Sequence, residues 1–90
     1  MAGIKPSVYE YIVSVTDQSR CLLDEPMKKH STFRVGGEAD LLVKIASSSE
    51  LSTVIKYLNQ IQLPYFIKGN GSNILVSDKG YRGVILEISD

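Results

Sequence analysis

A single cysteine, a single histidine and no tryptophan stand among the 90 residues. One cysteine closes no internal disulfide, which excludes the stapled mini-domains of secreted chains and fits a reducing compartment. One imidazole and one distant thiol make no metal site. Long apolar runs are missing too. Tyr11-Ile12-Val13, Ile74-Leu75-Val76 and Val84-Ile85-Leu86 reach the limit of three residues, whereas a membrane span needs about twenty and a secretory signal core roughly seven to fifteen. Charge of one sign is absent as well. The 10 Lys and Arg residues balance 10 Asp and Glu residues, so no global field draws nucleic acid or an anionic membrane. These absences predict a cytoplasmic protein with no nucleic-acid and no membrane partner.

What is present is an ordinary globular composition, 43% hydrophobic and 22% charged, which argues against intrinsic disorder. The length allows one domain, and chains of this size bury roughly 60–70% of their unfolded surface. Pro6 suits the first turn of a helix, where its missing N–H costs nothing. Val8, Tyr11, Ile12 and Val15 then recur at helical spacing and predict an amphipathic helix over 6–18. Residues 1–25 read as this leading helix and a linker. Residues 26–38 keep no period, end in a Gly pair and read as a loop with a short extended piece. Asp40 to Ala46 reads as a strand. Ser47 with Glu50 three positions on is a capping-box pattern, in which the Ser takes an orphan helix N–H and the Glu reaches back to the cap's own N–H. Leu51, Val54, Ile55, Leu58 and Ile61 hold helical spacing over 49–61, and Pro64 prevents continuation.

Tyr65 to Lys68 is then a short strand. Strand, helix and strand within about 30 residues predict a right-handed βαβ unit whose strands pair in parallel. Further strands are expected over 74–77 and 83–88, separated by the turn Asp78-Lys79-Gly80. The fold class is α+β: a small mixed or parallel sheet behind a leading helix. Residues 26–90 form the first part of a larger domain. An apolar strand placed so near Asp90, with no closing helix, leaves an edge open to pairing. It predicts the front part of a longer protein and self-association of the piece.

Chemistry concentrates between two strands, at Gly69-Asn70-Gly71-Ser72-Asn73. Glycines permit positive φ and turn successive N–H groups into one concavity that holds anionic oxygen. Ser72 adds a hydroxyl donor, and Asn73 adds an amide and tolerates left-handed backbone. A pyrophosphate suits such a cup, and a plain tight turn suits the same residues. No G-x-x-x-x-G-K-[ST] occurs, and no helix follows the glycines as a dinucleotide fingerprint requires. In Thr32-Phe33-Arg34-Val35-Gly36-Gly37, Arg34 could grip phosphate bidentately or simply be a surface Arg beside a turn. His30 reads as a solvated loop residue with no carboxylate near it in sequence, and Cys21, beside Leu22 and Leu23, as a buried, inert thiol.

Lys29-His-Ser-Thr-Phe-Arg-Val-Gly-Gly37, Asp40-Leu-Leu-Val43, Gly69-Asn-Gly-Ser-Asn-Ile-Leu-Val76 and Gly80-Tyr-Arg-Gly-Val84 together resemble the amino-terminal portion of the UDP-N-acetylenolpyruvoylglucosamine reductase (UDP-N-acetylmuramate dehydrogenase, MurB) family. The match runs from about Met27 to Ile88, in order. The resemblance implies an FAD-binding domain of the PCMH type and an NADPH-dependent flavoenzyme of peptidoglycan synthesis. Its substrate would be UDP-N-acetylglucosamine enolpyruvate, a small molecule reduced to UDP-N-acetylmuramate. NADPH gives a hydride to FAD, and the reduced flavin passes it on. Carried onto this chain, the resemblance places the FAD pyrophosphate on Gly69, Gly71, Ser72 and Asn73, with Asn70 at the variable position. Thr32, Phe33, Arg34, Gly36 and Gly37 line or support the same domain. It implies that the catalytic residues and the substrate domain lie downstream of Asp90, so the 90 residues alone turn nothing over. Two other readings stay open. One is another PCMH-type FAD oxidoreductase, disfavoured by the lack of His or Cys beside the loop for covalent flavin attachment. The other is a non-catalytic nucleotide-binding module.

Overall fold

Pro6 opens the first helix, α1 (Pro6–Val15), in the computed structural model, which describes residues 4–27, 37–69 and 80–88. Val8 and Ile12 of the anticipated stripe are buried, while Tyr11 lies exposed at its margin. The helix stops short of residue 18 because Thr16 turns its hydroxyl back onto the Ile12 carbonyl at 2.6 Å. Asp17 then accepts the Ser19 N–H at 2.9 Å and caps a single 3-10 turn, Gln18–Arg20. Short polar side chains that bond nearby backbone compete with helix in this way.

Residues expected to be linker and loop instead form a strand, β1 (Cys21–Pro26), antiparallel to β2 (Glu38–Ile45). Cys21 faces Val43 and Pro26 faces Glu38. The alternation is hidden in sequence because Asp24 takes φ +51 and interrupts the pairing. Pro26 is tolerated because it ends an edge strand.

Next comes α2 (Ser48–Gln60), with Val54 and Leu58 fully buried and Leu51 and Ile55 half-buried. Ser47 caps it by accepting the Glu50 N–H at 3.2 Å. The reciprocal half of the capping box is displaced by one residue. Glu50 accepts the N–H of Ala46, at 3.0 Å, and receives both terminal nitrogens of Arg20 at 2.9 and 3.0 Å. Arg20 also donates to the Lys44 carbonyl at 2.7 Å. One guanidinium therefore ties the turn after α1 to the end of β2 and the start of α2.

This pair makes stability depend on pH. The Arg20 hydrogen bonds, aided by the Ala46 N–H, hold the Glu50 carboxyl below its ordinary value of 4.5. A depressed carboxyl contributes stability above its unfolded pKa and loses it as pH falls through the folded one. Asp17, lowered by the Ser19 N–H, acts in the same direction. Urea melts of the chain should weaken below pH 4.5, and Glu50→Gln should make that acid loss shallower. Parallel pH profiles for the two proteins would show that the pair contributes nothing.

The remaining strands are β3 (Tyr65–Gly69) and β4 (Tyr81–Ile88), and the sheet order is β1-β2-β4-β3. The βαβ unit of β2, α2 and β3 exists and its strands run parallel, but they are not neighbours: β4 lies between them, parallel to both. Val84, Ile85 and Leu86 are at most 1% exposed, so the most apolar strand occupies a position paired on both sides. Phe66 and Ile67 of β3 remain exposed. A bulge at Arg82–Gly83 shifts the register between Ala39↔Tyr81 and Leu41↔Val84. Only glycine fits there, since a Cβ on Gly83 would lie 2.4 Å from the Pro64 carbonyl oxygen, which accepts the Val84 N–H at 3.0 Å. The expected strand over 74–77 lies outside the described residues.

The two sheet faces have different cores. Leu41, Val43, Ile45, Val84 and Leu86 pack under both helices with Val8, Ile12, Val54 and Leu58. Ala39, Leu42 and Ile85 pack on the other face with Met27. Cys21 is buried as anticipated, its sulfur 3.3 Å from the Thr16 hydroxyl. Tyr11 and Tyr57 stack between the helices at 4.1 Å. Among the described residues no helix is long and apolar enough to cross a membrane.

Candidate functional site

Three parallel strands end along one line, because Ile45 pairs with Ile88 and Ile88 with Gly69. The carboxyl edge of such strands is where open α/β sheets place ligands, beside the start of the crossover helix. Here α2 begins at that edge, and a cleft of about 290 Å³ opens between Ile45, Ala46, Ser47, Ser48, Leu51 and Ile88. A second groove, lined by Val8, Tyr57, Ile61 and Leu63, lies where α2 ends. That is the opposite edge from Gly69.

Of the loop Gly69-Asn70-Gly71-Ser72-Asn73, the structure describes Gly69. It closes β3, half-buried, and its carbonyl accepts a hydrogen bond from the Lys68 ammonium at 3.0 Å. Asn70, Gly71, Ser72 and Asn73 lie outside the described residues, as do Thr32, Phe33, Arg34, Gly36 and His30. Gly37, the last residue of the Gly pair, accepts the Met27 N–H at 3.0 Å. Met27 and Gly37, which flank residues 28–36 in sequence, are therefore held side by side.

On the face away from the helices the strands carry charge that is buried. Lys68 and Glu87 are register partners on β3 and β4, and Nζ lies 2.8 Å from Oε2 with side chains 2% and 9% exposed. Asp40 of β2 is 2% exposed. Its Oδ1 pairs at 3.2 Å with Nη1 of Arg82, whose Nη2 donates to the Glu38 carbonyl at 3.3 Å. Gly80 takes φ +90, where a Cβ would strike that same Glu38 carbonyl. Two of the sequence segments singled out above, around Asp40 and around Gly80-Tyr81-Arg82, are thus bonded to each other across the sheet. Burial pushes the Tyr81 phenol above its ordinary value. Among the described residues no three His, Cys, Asp or Glu side chains converge as a metal site would need.

Sequence reasoning passed over Lys68, Glu87 and Asp40. A signal existed for the first two: Lys68 is the lone charge of β3, Glu87 follows the apolar run of β4, and their signs are opposite.

The UDP-N-acetylenolpyruvoylglucosamine reductase of Clostridioides difficile (strain 630) is 45% identical over 83 residues, 92% of this chain and 27% of its own length. The chain belongs to the UDP-N-acetylenolpyruvoylglucosamine reductase family. Reductases of that name from Alkaliphilus oremlandii (strain OhILAs) and Alkaliphilus metalliredigens (strain QYMF) are 43% and 41% identical, each over 86 residues, 96% of this chain and 28% of theirs. No family model matches. The chain spans about a quarter of the length of the curated reductases it matches. The name those relatives carry is that of a reductase acting on a small molecule, UDP-N-acetylenolpyruvoylglucosamine. In this family member, the Gly69 terminus of β3 and the Asp40–Arg82 ion pair belong to the segments that carry the resemblance.

Proposed function

We propose that these 90 residues supply the diphosphate-binding side of an FAD site, of the PCMH type, in an NADPH-dependent reductase of UDP-N-acetylglucosamine enolpyruvate. The observation that carries this reading is the place of Gly69, at the carboxyl edge of three parallel strands with its carbonyl turned onto Lys68. The acceptor at the start of the loop is thereby used within the protein. The residues that follow in sequence offer backbone N–H groups, a Ser hydroxyl and Asn carboxamides, all donors suited to phosphate oxygens. Residues 69–73 hold the diphosphate in this reading, and Thr32 and Arg34 support it. FAD, when bound, supplies hydride transfer from NADPH to the enolpyruvyl double bond. The chain's own part is to bind and orient. A cytoplasmic setting is part of this reading, in keeping with the balance of 10 Lys and Arg against 10 Asp and Glu. The exposed Phe66 and Ile67 on β3 favour self-association of the isolated chain.

An NADPH-oxidation assay tests the division of labour. With FAD and the enolpyruvyl substrate supplied, the 90-residue chain should show no turnover, and a full-length reductase carrying these residues should be active and retain FAD through gel filtration. Family-like rates from the 90 residues alone would overturn the first expectation. A full-length protein that is folded and binds no FAD would overturn the cofactor assignment.

A further inference from the structure

The two edges of the sheet are built differently. β1, at one edge, contains Asp24, whose φ of +51 interrupts its line, and ends in Pro26, which has no N–H to offer. Interruptions and prolines of this kind guard an edge against pairing with another chain. β3, at the other edge, has neither, and among the described residues no strand lies beyond it. Its one charge, Lys68, would ordinarily act as the guard, but the ion pair with Glu87 withdraws that side chain to 2% exposure. What β3 presents instead is Phe66 on one face and Ile67 on the other, 43% and 41% exposed.

The ladder sets the direction of the backbone groups. The Pro64 carbonyl accepts the Val84 N–H, and Tyr65 is the register partner of Val84. In a parallel pair a residue bonds the two positions that flank its register partner. Phe66 and Lys68 therefore turn their N–H and C=O groups to β4, while Tyr65, Ile67 and Gly69 turn theirs outward. That outward row is symmetric about Ile67. An antiparallel second copy of β3 centred there sets Ile67 against Ile67, Tyr65 against Gly69 and Phe66 against Lys68, so no two like charges stand opposite. The balance of 10 basic and 10 acidic residues adds no net repulsion between copies.

We infer that β3 is the pairing edge of a two-fold dimer, in which a second copy of this chain adds antiparallel about Ile67 and joins two four-stranded sheets into one. The guarded β1 edges then lie at the two ends, and the pair closes on itself where an unguarded edge would let a filament grow. This rests on the self-association proposed above and gives it a surface.

Charge exchange at position 67 tests it in the 90-residue chain, read by light scattering behind gel filtration over a range of concentrations. The unsubstituted chain should run at twice its sequence mass. Ile67→Lys and Ile67→Glu each set two like charges face to face and should weaken the dimer about tenfold or more. Far-UV circular dichroism should not change, because the side chain already meets solvent. Mixing the two variants should restore the dimer, since position 67 meets only its own copy. Ile67→Pro removes one outward N–H, spares the bonds to β4 and should also give a monomer; it decides the matter if a charged variant fails to fold. Folded variants that pair as tightly as the unsubstituted chain, or a mixture that stays monomeric, overturn the inference and leave self-association to another surface. An unsubstituted chain that stays monomeric throughout overturns the self-association reading as well, so the two failures are distinguishable.

Discussion

Lys68→Ala in the 90-residue chain is expected to cost about 3–5 kcal/mol, the penalty for removing one partner of a buried ion pair. The Glu87 carboxylate stays on the central strand, 8% exposed, and loses the ammonium 2.8 Å from it. Domains of this size have total stabilities of about 5–15 kcal/mol, so the substitution consumes a large share of the whole. Near this length each kcal/mol moves the midpoint by about 4–8 °C, which predicts a melting temperature lower by roughly 15 °C or more. The arithmetic is asymmetric. Removing both charges together should be nearly neutral, because the desolvation cost disappears along with the attraction. Calorimetry of the single and double variants measures the difference directly. A single variant that melts within a few degrees of the parent would mean that water reaches the pair.

The second large effect concerns binding. Gly71→Val in a full-length reductase carrying these residues should leave the protein folded and reduce the flavin retained after gel filtration to roughly a tenth or less. A branched side chain disfavours positive φ, and its methyl groups obstruct the approach of a phosphate to backbone N–H groups. Far-UV circular dichroism of the flavin-free protein checks the fold, and the 450 nm region of the absorbance spectrum, characteristic of flavins, reports content. Unchanged flavin in a folded variant would remove residues 69–73 from the proposed cradle.

Both helices were legible in the sequence, since a 3.6-residue period read over ten or more positions is a strong signal. Their ends were less so. Val15 ends α1 because the Thr16 hydroxyl and the Asp17 carboxylate capture nearby backbone groups, a competition that composition hints at and geometry decides. The capping residue Ser47 was correctly placed, while the partner of Glu50 depended on Arg20, 30 positions away. The first strand escaped notice because six residues with a φ of +51 in their midst show no alternation. Pairing with β2 makes it a strand.

The candidate site divides in the same way. A glycine-rich bend after an apolar strand is a local pattern, and Gly69 stands where that pattern put it, at the end of β3. Lys68 and Glu87 are 19 positions apart, and Asp40 and Arg82 farther still. No local period relates them.

Sequence alone determined which segments are helical, that β2, β3 and β4 are strands, that one thiol would be buried and that a short run of small and amide residues follows the third strand. These are properties of neighbours along the chain, set by side-chain periodicity, capping and the conformational freedom of glycine. Tertiary structure decided the strand order, the insertion of β4 between the two strands joined by α2, and the burial of a Lys–Glu pair under the loop's first residue. Those outcomes depend on which apolar strand gains most by being covered on both sides, a comparison made across the whole sheet. They also depend on charges that meet only once parallel strands lie in register.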